Sequence, residues 1–254
     1  MLAQLDFQGK AVLVTGAAAG LGRVVALTLA GFGADLCLVD VNAEGLAATA
    51  NDAGGRGVEI VVADLSRAEN CALAVERAVA RFGRLDGVCN VAGVAKFMPF
   101  TEIPIEQFEL TMAVNFAAPF FLSQAAIPHL LATSGAIVNV ASAAAFVGEA
   151  YLAPYAASKA ALVSLTKSLA MEYAKTSIRV SAVAPGGMET GMAAGMGGAS
   201  LPAGIDFTLV ERYVPLRGLV SVKDVAMMIA WLASEQGGAF HGGCVHMDAG
   251  ITAG

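Results

Sequence analysis

Short apolar runs recur along the chain, each closed by a small or polar residue and followed by a longer stretch of helical composition. Ala11–Thr15, Leu36–Asp40, Val58–Val62, Gly87–Val91, Ala136–Ala141, Ile178–Ala184 and Cys244–Asp248 lack the strict alternation of half-solvated strands, so they predict strands covered on both faces. Helical pattern occupies Leu21–Phe32, Ala43–Asn51, a stretch from near Ala68, Glu106–Leu131, the segment from Tyr155 onward, and Val222–Ser234, the last opened by a Ser221/Asp224 capping box. The alternation predicts an α/β fold: one domain over 1–254, a Rossmann-type doubly wound parallel sheet of seven strands, helices on both faces and right-handed crossovers. Residues 187–213, rich in Gly, Ala and Met, keep neither period over most of their length and read as a mobile flap. Ligands of such sheets bind beyond the carboxyl ends of the strands, so candidate chemistry belongs there.

At the end of the first strand stand Gly16, Gly20, Leu21 and Gly22, directly before a helix. Glycine lets the backbone take positive φ and approach a pyrophosphate, and the helix N-terminus offers free N–H groups to it, so this turn points to a dinucleotide. Asp40 closes the second strand about twenty residues beyond the glycine turn, where a carboxylate can accept from both adenosine ribose hydroxyls. The alternative is a cap on the following helix, but Asn42 is itself a capping residue and the position favours the ribose role. Asp64, followed by Leu65, lies just past the third strand and either meets the adenine amino group or caps the helix near Ala68 together with Ser66. The fourth strand runs into Asn90, Ala92 and Gly93, small residues that suit a backbone close to a ligand.

The long helix contains Asn115 and Pro119. Proline lacks an N–H, so regular pairing leaves the Asn115 carbonyl free at a cost of about 3 kcal/mol, and such a kink could hold a water. Ser142 closes the fifth strand, and Tyr155 and Lys159, four residues apart on a helix, project from one face. These place a hydroxyl, a phenol and an ammonium around one reacting oxygen. A phenol serving as base near neutrality must drop by roughly three pH units, about 4 kcal/mol. One cation about 4 Å away at an effective dielectric of ~20 contributes on the order of 4 kcal/mol, and an oxidised nicotinamide adds to it.

The 254 residues carry a net charge of −6 and no basic stripe, which excludes nucleic acid and an anionic membrane surface as expected partners. Hydrophobic residues make up 57% and mean hydropathy is +0.68, so a membrane span needs testing. Leu110–Gly148 holds no Asp, Glu, Lys or Arg, yet Asn115, Pro119, Gln124, Pro128, His129 and Ser134 interrupt it. A helix buried on several faces is expected instead, with no membrane association. Its apolar excess predicts a homo-oligomer. Four cysteines without CxxC spacing predict neither disulfides nor a metal site, and the first strand at Ala11 leaves no room for a signal peptide, so a reducing cytoplasm is the expected location.

In order and spacing, Thr15–Gly22 (TGAAAGLG), Asp64, the NxAG element at Asn90–Gly93, Asn115, Ser142, Tyr155 with Lys159, and Pro185–Gly186 followed by Thr190 resemble the short-chain dehydrogenase/reductase family over essentially the whole chain. The resemblance implies Tyr155 as catalytic acid/base, Lys159 lowering its pKa and holding the ribose, and Ser142 hydrogen-bonding the substrate oxygen. Asn115 would place a water, Thr190 would touch the nicotinamide carboxamide, and the assembly would be a tetramer. Cys89, Val91 and Pro119 depart from the family pattern. The cofactor is expected to be NAD, because Asp40 would repel the extra phosphate of NADP and no cation answers it in Ala17–Ala19 or at Val41 and Asn42.

The reaction expected is interconversion of a secondary alcohol and a ketone. Phe97, Phe146, Val147, Leu152, Met188, Met192, Met196 and Phe207 are expected to flank the reacting oxygen, and none is charged, which favours a neutral, apolar or aromatic substrate. Arg212 or Arg217 could instead swing inward to bind an acid. Two rivals stand beside this reading. One is an NADPH-dependent 3-oxoacyl carrier-protein reductase, which would need basic residues where Thr133 and Thr176 stand; the other is a catalytically silent dinucleotide-binding regulator.

Overall fold

The structure is a computed structural model and is described for residues 5–55, 57–188, 204–215 and 217–253. Seven parallel strands form one sheet in the order β3-β2-β1-β4-β5-β6-β7. They are β1 (Ala11–Thr15), β2 (Asp35–Asp40), β3 (Val58–Val62), β4 (Gly87–Asn90), β5 (Ala136–Val140), β6 (Arg179–Pro185) and β7 (Cys244–Met247). Strand order reverses between β1 and β4, which opens a crevice at their carboxyl ends.

Every residue of β1, β4 and β5 is buried, as the unbroken apolar runs require. Side chains alternate between two cores. Val12, Val14, Leu36 and Leu38 face α1 (Gly20–Gly31), α2 (Ala43–Asp52) and α8 (Val222–Ala233), while Leu13, Cys37 and Val39 face α3 (Ala68–Phe82) and α5 (Ala118–Thr133). The Ser221 hydroxyl accepts from the Asp224 N–H, which caps α8 as the sequence predicts.

The long helix expected over Glu106–Leu131 is present but not regular. It comprises α4 (Ile105–Met112), a π-helical turn over Ala113–Ala117, and α5. The Ala118 N–H bonds five residues back to the Ala113 carbonyl, so the chain answers the missing N–H of Pro119 with a widened turn rather than a break. By length and composition Ile105–Thr133 is apolar enough to cross a membrane, yet 44% of its qualifying 18-residue window is buried inside the fold, where α5 packs on α3.

The expected flap falls largely outside the described residues. Where it is described, Phe207–Val210 forms a short helix, α7, continued as a 3₁₀ turn over Glu211–Tyr213, so this half is helical where no period is evident in the sequence. The Asp206 side chain caps α7 by accepting from the Thr208 N–H at 2.9 Å.

Candidate active site

The glycine turn after β1 is shaped by close backbone approach. A Cβ on Gly22 would lie 2.1 Å from the Gly16 carbonyl oxygen, and one on Gly16 would meet Ala92 Cα at 3.0 Å; Gly16 and Gly20 sit at φ 68° and 52°. The Thr15 hydroxyl accepts from the Val91 and Ala92 N–H groups at 2.9 and 3.0 Å, tying the end of β1 to the Asn90–Gly93 element. Leu21 and Leu65 are buried beside these turns. Such a cradle, at a helix N-terminus and at the switch in strand order, fits a pyrophosphate.

Asp40 accepts from the Ala18 N–H at 3.2 Å and from the Asn42 N–H at 3.0 Å, while the Asn42 side chain accepts from Gly45 N–H at 3.0 Å. Asn42 is therefore the cap of α2, and Asp40 keeps a partly exposed carboxylate at the strand end. Asp64 is exposed and accepts from the Ser66 N–H at 2.9 Å; the backbone and side-chain bonds from Ser66 hold its carboxyl below the usual range. Asn90 donates to Asn139 Oδ1 at 2.8 Å, and Asn139 donates to Thr166 Oγ1 at 2.9 Å, a buried polar chain from β4 through β5 to α6 (Ala153–Glu172). The Asn90 Oδ1 is buried without a donor among the described residues.

Asn115 lies in the π turn, wholly buried. Its carbonyl oxygen accepts from the Val94 N–H at 2.8 Å, and its amide donates to the Val94 carbonyl at 2.9 Å and to Ser158 Oγ at 3.1 Å. Ser158 in turn donates to the Tyr155 carbonyl at 2.7 Å, so one side chain joins the widened turn, the loop after β4 and α6.

Ser142 begins a 3₁₀ turn after β5, Ala143–Ala145, and its oxygen accepts from the Ala144 N–H at 3.2 Å. Lys159 is 3% exposed, donates from Nζ to the Val140 carbonyl at 2.7 Å, and stands 5.7 Å over the Tyr155 ring centroid. A Cβ on Gly93 would come within 3.4 Å of both Lys159 Nζ and Asn115 Oδ1, so this glycine leaves room for the ammonium. Burial pushes the Tyr155 phenol up to about 12, opposed by its hydrogen bond with Ser142 and reinforced by the charge of Glu149. The depression expected from Lys159 is therefore not in place: burial pulls the ammonium itself down to about 8, and it is aimed at a carbonyl. Desolvation of both partners outweighs their one-turn spacing.

Pro185 ends β6 and Gly186 follows it, where a Cβ would lie 2.9 Å from Asp248 Cα. Thr190, Met192 and Met196 lie outside the described residues. Of the expected substrate pocket, Leu152 and Phe97 are buried, Phe146 packs at a tilt on His246 with centroids 4.3 Å apart, Met188 packs on the sheet core, Val147 is half-buried and Phe207 is exposed. Arg217 is exposed. Glu149 belongs to no motif in the sequence. Its only sequence signal is that it ends the uncharged stretch after Glu109, and the fold brings its charge to act on the Tyr155 phenol. Among the described residues no metal-binding cluster occurs, and Cys37, Cys71, Cys89 and Cys244 are free thiols.

Residues 16–252 match the pattern of a family described as enoyl-(acyl carrier protein) reductase. The chain is 36% identical to the cis-4-hydroxycyclohexanecarboxylate dehydrogenase of Sinomonas cyclohexanicum, over 97% of this chain and 98% of that one. A short chain dehydrogenase from Mycobacterium paratuberculosis bound to NAD superimposes with a TM-score of 0.90 at 27% identity, covering 98% and 100% of the two chains. A short chain dehydrogenase from Burkholderia cenocepacia in complex with NADP superimposes with a TM-score of 0.86 at 31% identity, covering 97% and 99%.

Proposed function

Because the chain belongs to the short-chain dehydrogenase/reductase family, we propose that it is an NAD(H)-dependent oxidoreductase that interconverts a neutral secondary alcohol and its ketone. Oxidoreductase chemistry on a small molecule with an NAD(P) cofactor comes with the family; the choice of NAD, the neutral substrate and the roles below are our reading. One observation carries it: the Ser142 hydroxyl, the Tyr155 phenol and the Lys159 ammonium converge at the end of β5, braced by Asn115 and adjoining a glycine cradle.

Gly16, Gly20, Leu21 and Gly22 would hold the pyrophosphate, Asp40 the adenosine ribose, Asp64 and Leu65 the adenine side, and Asn90, Ala92, Gly93, Pro185, Gly186 and Thr190 the nicotinamide half. Bound NAD supplies the hydride acceptor. Ser142 hydrogen-bonds the carbinol oxygen, and Tyr155 takes the hydroxyl proton as the carbonyl forms, or returns it in reduction. Lys159 stabilises the phenolate and reaches the ribose. Its pKa of about 8 leaves it protonated at neutrality, and a second positive charge nearby opposes the desolvation that now holds the phenol up. Asn115 positions α6, hence the phenol, through Ser158.

The apolar side chains of Phe97, Phe146, Val147 and Leu152, taken as the substrate side of the site, support a neutral substrate, as does the carboxyl of Glu149, which would repel an acid. The Sinomonas relative is named for a ring alcohol bearing a carboxylate, so the test compares kcat/KM for cyclohexanol and 4-hydroxycyclohexanecarboxylate. Preference for the neutral alcohol is expected; preference for the acid, lost in Arg212→Ala or Arg217→Ala, would overturn the neutral reading. The exposed apolar face of α4 and α5 supports self-association, with a tetramer as the family expectation.

A further inference from the structure

Glu149 lies on the loop between the Ser142 turn and α6, and the chain around it is held at several points. On one side the Phe146 ring packs on His246. On the other, the Tyr151 carbonyl accepts from the Met98 N–H at 3.0 Å and the Tyr151 phenol oxygen accepts from the Asp206 N–H at 2.9 Å. Tyr151 sits at φ 66°, a left-handed conformation that a residue with a side chain keeps only where its surroundings fix it. The loop that carries Glu149 is thereby held on both sides, and the charge of Glu149 acts on the Tyr155 phenol.

Its half-buried side chain has no hydrogen bond or ion pair to any described residue, and burial alone raises its carboxyl to about 7. Its charge also pushes the Tyr155 phenol up, against what a base requires. An unpaired, half-desolvated carboxyl that opposes the chemistry is a cost that a donor entering the cleft would offset. Phe97, Phe146, Val147 and Leu152 offer no side-chain donor.

We propose that Glu149 is a substrate-binding residue that accepts a hydrogen bond from a second hydroxyl of the alcohol, so that the substrate class is an uncharged vicinal diol or polyol. This deepens, and rests on, the oxidoreductase reading above. A hydroxyl suits a carboxyl that titrates near neutrality, since it donates to the carboxylate and accepts from the acid, whereas an ammonium can serve only the ionised form. A substrate carboxylate would meet a like charge.

The test measures kcat/KM for cyclohexanol, cis- and trans-1,2-cyclohexanediol and 2-aminocyclohexanol with wild type, Glu149→Gln and Glu149→Leu. Wild type should favour one of the diols over cyclohexanol by about tenfold or more. Glu149→Leu should bring that ratio to near one, and Glu149→Gln, whose amide oxygen still accepts, should keep part of it. An unchanged ratio in Glu149→Leu, or a preference for the amino alcohol that vanishes in Glu149→Gln, overturns the proposal. Should wild type oxidise none of these alcohols, the oxidoreductase reading fails for this class, and the second hydroxyl is tested separately. Calorimetric titration of the diols and cyclohexanol into NADH-saturated enzyme then supports the contact if diol binding is tighter and Glu149-dependent, and overturns it otherwise.

Discussion

The half-buried Tyr155 phenol is pushed up to about 12 and the buried Lys159 ammonium is pulled down to about 8, so under the proposed mechanism a further positive charge is needed beside their one-turn proximity. Asp40 bears on which dinucleotide brings that charge. Its partly exposed carboxylate would stand against the phosphate that distinguishes NADP. Like charges about 5 Å apart at a dielectric of ~20 differ by roughly 3 kcal/mol, a hundredfold in efficiency. Competition between NAD and NADP should show that ratio in favour of NAD, and Asp40→Ala should narrow it; equal efficiencies would contradict the assignment. The one-turn spacing of Tyr155 and Lys159 and the glycines after β1 were legible in the sequence because their geometry is local. Glu149 was not, since no period fixes the path of a loop and its position depends on His246, Met98 and Asp206 from elsewhere in the chain.

The widened turn at Ala113–Ala117 shows an element shaped jointly by local and distant causes. Pro119 makes an irregularity near Asn115 legible, but its form follows from the Asn115 side chain, which is committed to both polar groups of Val94. Asn115→Leu leaves that N–H and carbonyl without partners, so a loss of about 2–5 kcal/mol is expected in urea unfolding, and a loss below about 1 kcal/mol would contradict the brace. The strands carry a second consequence. Cys37 in β2 and Cys89 in β4 are wholly buried and their thiols are pushed up to about 12. A raised folded-state pKa gives stability that is complete below the unfolded value of 9.0 and is lost as pH climbs toward the folded one. Between about pH 8 and 10 the loss is about 1.4 kcal/mol per thiol, and Lys159, held low, works in the opposite sense over part of that range. Urea unfolding at both pH values should therefore show Cys37→Ala/Cys89→Ala losing about 2–3 kcal/mol less than wild type over the interval; parallel pH dependence would contradict it.

Over the whole molecule, alternating strands and helices made the doubly wound sheet legible, because buried parallel strands must read as unbroken apolar runs. The use of the surplus apolar surface was less so, since a helix covered by its own sheet and one covered by a second copy show the same composition. Ile105, Phe108, Leu110, Phe120 and Leu131 along α4 and α5 are 65, 47, 43, 39 and 38% exposed. Exposed apolar side chains in that number along one segment favour self-association. Light scattering at micromolar concentration should return an oligomer that Phe108→Asp/Phe120→Asp weakens; a wild-type monomer would contradict it. The central claim is that this fold oxidises a secondary alcohol through Tyr155, and the most direct measurement follows nicotinamide absorbance with NAD and neutral secondary alcohols, beside the affinity of each protein for NADH. Wild type should turn over and Tyr155→Phe should bind NADH as well while losing about 10²–10⁴-fold in rate, because only the transferable proton has gone; Tyr155→Phe turnover within about threefold of wild type would contradict the account.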